Sequence, residues 1–292
     1  MIKNLVFKGG GVLGIAYAGA IEVLEEKQVL AQIEHVAGTS AGAITAALIS
    51  LKYSAADILK VVQATNFKNF EDSLNPLGIA TKYGLYSGDA FLSWMKQRIT
   101  DKGLPATATF ADFEKAGMLD LRVFACDLNT RSLKEFSVAK TPTTIVAEAV
   151  RASMSIPLFF NAWTFSNSIP DNHIYVDGGT IYNYPITTFD NEDGTPNQET
   201  LGLYLEDISG VQPGSDLQYD QFFQYIKDLF QTLTDAQLID FENDPDEEKR
   251  TVIIDDFGIS AVNFGLTDDQ KTQLYNSGKT ATTTYLAKLN AI

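Results

Sequence analysis

The sequence predicts an α/β fold built on a parallel sheet. Two strand–glycine turn–helix units occupy the first ~50 residues, the arrangement of a βαβ unit. Short β-prone runs keep alternating with helical stretches further along. Composition agrees: 292 residues, 45% hydrophobic and 20% charged, suit a folded chain with a large core.

The elements follow in order. Asn-Leu-Val-Phe at 4–7 is a strand, broken by Lys8-Gly9-Gly10-Gly11. Residues 15–28 carry Ile15, Ala18, Ile21, Val23 and Leu24 against Glu22, Glu25, Glu26 and Lys27, an amphipathic helix. Residues 35–37 are a second strand, 38–42 a tight turn, and 41–51 a helix of small residues. Helices are expected at 57–65, 89–100 with Ser87 as cap, 109–116, and 144–154, where Pro157 stops the run. Strands are expected at 121–127, 174–177, 201–205 and 251–254. Residues 190–199 (DNEDGTPNQE) read as a surface loop, and the acidic run 240–248 as a solvated one. Apolar residues at 219, 222, 223, 226, 229, 230 and 233 predict a strongly amphipathic helix, and 267–289 is mostly helical. With no repeat, low-complexity tract or linker, residues 1–292 are expected to form a single domain.

Charge and composition exclude several functions. Lys+Arg number 22 against 37 Asp+Glu, a net charge of −15. Nucleic acid is therefore not expected as a partner, since phosphate binding needs clustered basic residues. Simple adsorption to an anionic membrane is disfavoured too. The lone Cys126 excludes an internal disulfide and a cysteine zinc site, and two histidines, His35 and His173, exclude a His-rich metal site. No secretory signal or transmembrane segment is visible. The weakly polar run 36–51 is shorter than the ~20 residues a bilayer span needs. A cytoplasmic protein is expected, peripheral at membranes where its substrate requires it, with signal-less export left open.

Two glycine clusters carry the chemistry. Gly9-Gly10-Gly11-Val12-Leu13-Gly14 fits G-x-G-x-x-G. A nucleotide site would place a pyrophosphate on the following helix and needs an acid at the end of the next strand. Glu34 precedes that strand, and Gly38-Thr39-Ser40 ends it. The competing reading is an oxyanion hole, in which successive glycines turn backbone N–H groups outward at the positive end of a helix. A close strand–helix turn without a ligand is the plain structural reading. Gly38-Thr39-Ser40-Ala41-Gly42 fits G-x-S-x-G. The strand before it and the helix after it are the context that lifts a serine nucleophile above a sheet. A serine N-cap on a buried helix is the alternative.

Neither histidine suits the role of base. His35 sits roughly 10 Å below the turn at the start of its strand, and His173 near the start of the strand that ends at Asp177. A carboxylate must then take the proton. Asp127 and Asp177 both end strands. Asp177 is preferred because Gly178-Gly179 removes side chains beside it. Asp127, before Leu128-Asn129-Thr130, reads as a turn starter.

KGGGVLG, GTSAG and VDGG in this order, with Ala152–Phe160 (ASMSIPLFF) between the last two, resemble the patatin-like phospholipase family. Residues 125–129 (ACDLN), Asn183-Tyr184-Pro185 and the closing GLTDDQKTQLYNSGKTATTTYL are similar too, so the resemblance covers nearly the whole chain. It implies a three-layer α/β/α fold with a mostly parallel central sheet. It also implies a lipid acyl hydrolase of phospholipase A or lysophospholipase type. Ser40 would be the nucleophile and Asp177 the base. Gly9, Gly10, Gly11 and Gly14 would form the oxyanion loop, with Gly10 and Gly11 donating. Gly38 and Gly42 would shape the nucleophile elbow, and Gly178 and Gly179 the base motif. Many family members have Arg or Lys where this chain has Leu13, which points away from strongly anionic phospholipids. Lys8 is a candidate substitute.

The expected partner is a phospholipid or other acyl-ester lipid at a membrane or micelle surface. No metal or cofactor is expected, because backbone amides stabilise the oxyanion. A base of pKa near 4 would be weak, so burial is expected to raise that of Asp177. Candidates for an acyl groove are Phe159, Phe160, Trp163, Phe165, Phe222, Phe223 and Phe230, with core packing as the simpler reading. Residues 163–173 are a candidate cover. The alternatives are an acyltransferase or thioesterase using the same dyad, and a non-catalytic nucleotide-binding module.

Overall fold

β1 (Asn4–Phe7) is buried along its whole length, with Leu5 and Phe7 in the larger apolar cluster and Val6 in a smaller one. The same split recurs in β2 (His35–Thr39), where Val36 and Ala37 part, and in β4 (Asp120–Asp127), where Phe124 parts from Val123 and Ala125. Side chains that alternate in this way mark a sheet covered on both faces. The computed structural model of the chain describes residues 1–208, 222–237 and 244–289, leaving aside the side chains of residues 222, 223 and 227.

The other strands are β3 (Gly84–Tyr86), β5 (Ser132–Phe136), β6 (Leu158–Phe160), β7 (Tyr175–Asp177), β8 (Thr200–Glu206) and β9 (Thr251–Asp255). The main sheet runs β5-β4-β2-β1-β8-β9, with β7 also on β4, while β3 and β6 pair separately. β4, β2, β1, β8 and β9 are mutually parallel, and β5 and β7 are antiparallel to β4. This is the expected three-layer α/β/α architecture, mostly parallel and with helices on both sides.

The helices are α1 (Ile15–Glu26), α2 (Ala41–Ser50), α3 (Ala55–Ala64), α4 (Gly78–Lys82), α5 (Asp89–Thr100), α6 (Phe110–Lys115), α7 (Val146–Ser153), α8 (Phe222–Asp235), α9 (Pro245–Lys249) and α10 (Asp268–Leu289). α10 lies directly on α1. A Cβ at Gly19 would fall 1.9 Å from the Tyr275 carbonyl oxygen, and one at Gly278 1.9 Å from that of Ala16. The larger cluster joins residues from Leu5 to Leu286. On the other face, Tyr184, Ile186 and Phe189 cover Val6, Ala37, Phe124 and Tyr204.

One detail of β4 positions everything that follows. β5 occupies one of its edges at residues 123–127. On the other edge β2 pairs as far as Thr39 with Phe124, and β7 takes over at the next residue, Asp177 with Ala125. The end of β2 and the end of β7 therefore meet on adjacent positions of one strand.

Several local expectations change. The N-cap of α5 is Gly88, at φ 71°, and not Ser87. Asp72 accepts the N–H groups of Gly88 and Ala90 at 2.7 Å each, while Ser87 Oγ accepts that of Asp89 at 3.2 Å. A capping carboxylate delivered from another loop leaves no local signature. The acidic run is not all loop. Asp244 caps α9, and Glu247 is buried because Arg250 needs it; residues 240–243 of that run lie outside the described residues. β5 (SLKEF) was not expected, because its exposed residues give no apolar alternation.

Candidate active site

Ser40 stands between β2 and α2 with φ 54° and ψ −124°, a conformation that a non-glycine residue adopts only when its surroundings impose it. Two glycines make the turn sterically possible. A Cβ on Gly38 would lie 2.3 Å from the Gly42 carbonyl oxygen, and one on Gly42 2.2 Å from that of Phe7. The Ser40 N–H donates to Ser153 Oγ at 2.9 Å, and the Ser153 hydroxyl donates to the Phe124 carbonyl at 2.5 Å. α7 thus ties the elbow to β4.

Ser40 Oγ donates to Asp177 Oδ2 at 2.7 Å. Asp177 is fully buried. Its other oxygen accepts the Gly179 N–H at 2.7 Å, and its own N–H donates to the Ser155 carbonyl at 2.9 Å. Burial pushes its carboxyl up to about 7, against the opposing pull of the Ser40 and Gly179 hydrogen bonds. Gly178 packs on β4, where a Cβ would meet the Phe124 carbonyl at 2.5 Å. Below the dyad, the fully buried Arg151 binds Ser155 Oγ at 2.6 Å and the carbonyls of Ser87, Gly88 and Asn161 at 2.8, 3.2 and 3.1 Å.

The glycine loop lies beside Ser40. A Cβ on Gly9 would be 3.2 Å from Ser40 Cβ, and one on Gly14 would be 3.3 Å from Ala41 Cβ. Gly9 N–H donates to the Asn183 carbonyl at 2.9 Å, Val12 N–H to Ala261 O at 2.9 Å and Leu13 N–H to Gly10 O at 3.0 Å. Among the described residues the Gly10 and Gly11 N–H groups meet no acceptor. Gly11 has φ +53°, and a Cβ there would fall 1.9 Å from Ala261 O. The loop is anchored from below by Tyr17, whose buried hydroxyl donates to the Lys8 carbonyl at 2.6 Å.

A cleft of about 340 Å³ opens from Ser40. Gly9, Gly10, Leu13 and Asn183 form one side, and α8 contributes Phe230 and Asp228. Glu206, Asp207, Asp235 and Asp256 make its wall acidic. Burial raises the carboxyl of Asp256 to about 6. Lys8 enters the same cleft with its Nζ 2.7 Å from Leu205 O and 3.9 Å from the Tyr204 ring centre; burial lowers its pKa to about 8. Gln237, just past α8, donates to Gly179 O at 2.7 Å and accepts the Asn183 N–H at 2.9 Å. α8 is thereby joined to the turn after Asp177 and, through Asn183, to the glycine loop.

A family model, Patatin-like phospholipase, matches residues 5–190, more than half of the chain. The chain belongs to the patatin-like phospholipase family. It is 33% identical to YqhO of Bacillus subtilis (strain 168), over 96% of this chain and 97% of that protein. It is 27% identical to the probable lipid hydrolase 463L of Invertebrate iridescent virus 6, over 63% of this chain and 62% of that one. Among solved structures it is similar in fold to VipD from Legionella pneumophila, with a TM-score of 0.65 and 18% identity, covering 98% of this chain and 67% of VipD.

Within this patatin-like frame the remaining candidates fall elsewhere. His35 Nδ1 is 3.0 Å from Asp120 Oδ2 and His173 Nδ1 is 2.8 Å from Asp127 Oδ2, so each histidine is paired with another carboxylate than Asp177. Asp127 also accepts the Asn129 and Thr130 N–H groups at 2.9 and 3.3 Å, the expected turn. Asp127, Asp171 and His173 offer ligand atoms within 4.8 Å of one another, yet Lys134 and Tyr175 already bind Asp171. That group is knit as a hydrogen-bond network.

Phe159, Phe160 and Phe165 are core residues, 3%, 0% and 3% exposed, and Trp163 packs against that core, so none lines the cleft. Of the helix candidates, Phe230 lines it; the side chains of Phe222 and Phe223, and Tyr219, lie outside the described residues. Residues 163–173 contribute nothing to the lining of the cleft. They are stitched to α7, β4 and β5 by Ser166 with Glu148, His173 with Asp127, and Asp171 with Lys134. Ser153, Ser155, Asn183 and Gln237 were not singled out in sequence for these roles. Their contacts span long separations, 113 residues in the case of Ser153 and Ser40, and carry no local pattern.

Proposed function

We propose that the protein hydrolyses fatty-acyl esters of lipids, as a phospholipase A or lysophospholipase, through Ser40 and Asp177. Family membership supports hydrolysis of lipids in general. The finer reading rests on the 2.7 Å bond between Ser40 Oγ and a buried carboxylate whose pKa is raised to about 7. Such a carboxylate is a far better base at neutral pH than one in water.

Asp177 takes the hydroxyl proton as Ser40 Oγ bonds to the ester carbonyl carbon. The oxygen acquires the negative charge, and the Gly10 and Gly11 N–H groups donate to it. Gly9 and Gly14 hold the loop in place, through Asn183 and Ala41. Each donor to such an oxyanion is worth roughly 3–4 kcal/mol in comparable sites. The tetrahedral species collapses, the C–O bond to the alcohol breaks, and the alcohol leaves with the proton from Asp177. Water then gives a proton to Asp177 and its oxygen to the acyl carbon. The carboxylic acid departs and the proton returns to Ser40 Oγ.

No helix of the described residues is long and apolar enough to cross a membrane. We place the protein at lipid surfaces as a peripheral enzyme, acting as one domain over residues 1–292. The acidic cleft wall and the net charge of −15 favour substrates whose leaving group lacks net negative charge.

The test combines labelling with product analysis. A fluorophosphonate should attach to Ser40 of the native chain and not to the Ser40→Ala variant. Ser40→Ala and Asp177→Asn should each lower ester hydrolysis by at least about 10³-fold while keeping the native circular dichroism. Wild-type rates from Ser40→Ala on a nitrophenyl ester would reject the assignment. Nucleotide affinity without labelling would favour a binding module, and acyl transfer to an added alcohol in place of hydrolysis an acyltransferase.

A further inference from the structure

The glycine loop has two sides. Gly9, Gly10 and Leu13 face the acidic cleft, whereas Gly11, Val12 and Gly14 face a second hollow of about 50 Å³. That hollow starts one residue from the nucleophile, at Ala41, and runs beside α2 toward α3 and α5. Its walls are apolar: Ile44, Leu48, Ile58, Val62, Phe70 and Trp94.

The polar side-chain atoms of Thr45, Thr65 and Trp94 in this wall are already satisfied. Thr45 Oγ1 donates to Ala41 O at 3.2 Å, Thr65 Oγ1 donates to Val61 O at 2.7 Å, and Trp94 Nε1 donates to Thr65 Oγ1 at 3.1 Å. A guest would find no hydrogen-bond partner among these side chains, so the hollow suits hydrocarbon and repels water or a headgroup. The cleft across the loop is its chemical opposite. The two halves of a lipid ester differ in the same way. The polar alcohol fits the acidic cleft, and the acyl chain fits the dry hollow.

The hollow has a far wall. Phe70 and Trp94 meet at 6.0 Å between ring centres, and Phe91 stacks on Trp94 at 5.8 Å. Beyond Phe70 and Trp94 lies a third, open hollow of about 410 Å³ that shares Thr65 with the second. The second hollow, at about 50 Å³, takes no more than the first few methylenes of a chain. A longer chain must displace the aromatic wall.

Resting on the hydrolase reading above, we propose that the slot between the glycine loop, α2, α3 and α5 takes the acyl chain, and that Phe70 and Trp94 set its length limit. The enzyme then works best on short and medium acyl chains. Phe70→Ala opens the slot to the outer hollow, and Val62→Trp fills it.

A series of nitrophenyl esters from butyrate to palmitate, run on the full chain, reads this directly. The kcat/KM ratio of dodecanoate to butyrate should rise about tenfold in Phe70→Ala and fall about tenfold in Val62→Trp, the scale expected for methylenes gained or lost in a pocket. Loss of stability alone lowers both rates and leaves their ratio unchanged, and Phe70→Leu provides a milder variant if Phe70→Ala folds poorly. A second measurement is independent of catalysis. In a Ser40→Ala, Trp163→Phe chain, Trp94 is the remaining tryptophan of the two in the sequence. Added decanoate should shift its emission, and Val62→Trp tested by calorimetry in the Ser40→Ala chain should abolish decanoate binding. Chain-length ratios unchanged in both variants, or Trp94 emission indifferent to decanoate, would overturn the proposal. Absence of ester hydrolysis and of fluorophosphonate labelling would instead reject the hydrolase reading, and the decanoate measurement would still decide this one.

Discussion

In the proposed mechanism, Asp177 concentrates the chemistry and its cost in one carboxyl. Among the described residues its carboxylate accepts from Ser40 and Gly179, and burial pushes it from 3.8 up to about 7. The rate should therefore rise as pH climbs through about 7, measured as kcat/KM on a soluble ester. Stability should move the opposite way. Between 3.8 and about 7 the folded chain holds a proton that the unfolded chain has released, so stability from this group is full below about pH 4 and falls as pH rises through about 7. Asp177→Asn removes that dependence. Thermal melts should show the variant more stable than the native chain at pH 8, by a margin that shrinks steadily toward pH 4. A margin independent of pH would contradict the burial argument. Ser40 and Asp177 were both readable in sequence, because the glycines that relieve their crowded turns sit beside them. Ser153 was not, because a lone serine on a helix gives no sign that it holds another residue's N–H.

At the scale of elements, direction of approach matters more than the strands themselves. In an open parallel sheet the ends of both aspartate-bearing strands would lie along one edge. Instead β7 is antiparallel and continues the edge of β4 where β2 stops, which brings Asp177 to Ser40. Three residues, Tyr175–Asp177, suffice for this, and their sequence does not encode orientation. α8 shows the converse. Its amphipathic pattern was legible, but its place beside the cleft depends on Gln237, which reaches Gly179 and Asn183. Gln237→Leu should cut that tie. Hydrogen exchange should accelerate in residues 222–237 with little change in the melting temperature, and kcat should fall about tenfold as the base segment and glycine loop lose a common support. Unchanged exchange in α8 would show that packing alone holds it.

Across the whole molecule, closure depends on contacts between distant parts. α1 and α10 touch through Gly19 and Gly278, and Arg250 joins β9 to α9 and to the loop at Asp190. Arg250 is 2% exposed and is matched by Glu247 at 2.8 Å and by Asp190. Removing one member of a buried charged group strands the others, at a cost of about 3–5 kcal/mol. Arg250→Ala should lower the unfolding free energy by that amount in urea titration. Replacing all three with apolar residues should restore much of it. A loss within 1 kcal/mol for Arg250→Ala would mean water reaches the carboxylates.

The sequence by itself determined the alternation of strands and helices, the glycine turns, and the serine and aspartate that sit beside glycines, since each is written in neighbouring residues. Only the tertiary structure decided that β7 runs antiparallel, that Ser153 and Ser155 hold Ser40 and Asp177, that Phe159, Phe160 and Phe165 pack in the core while Phe230 lines the cleft, and that a separate apolar hollow lies behind the glycine loop. Those features are distances between residues far apart in the chain, and such distances exist only after the sheet has chosen its order and register.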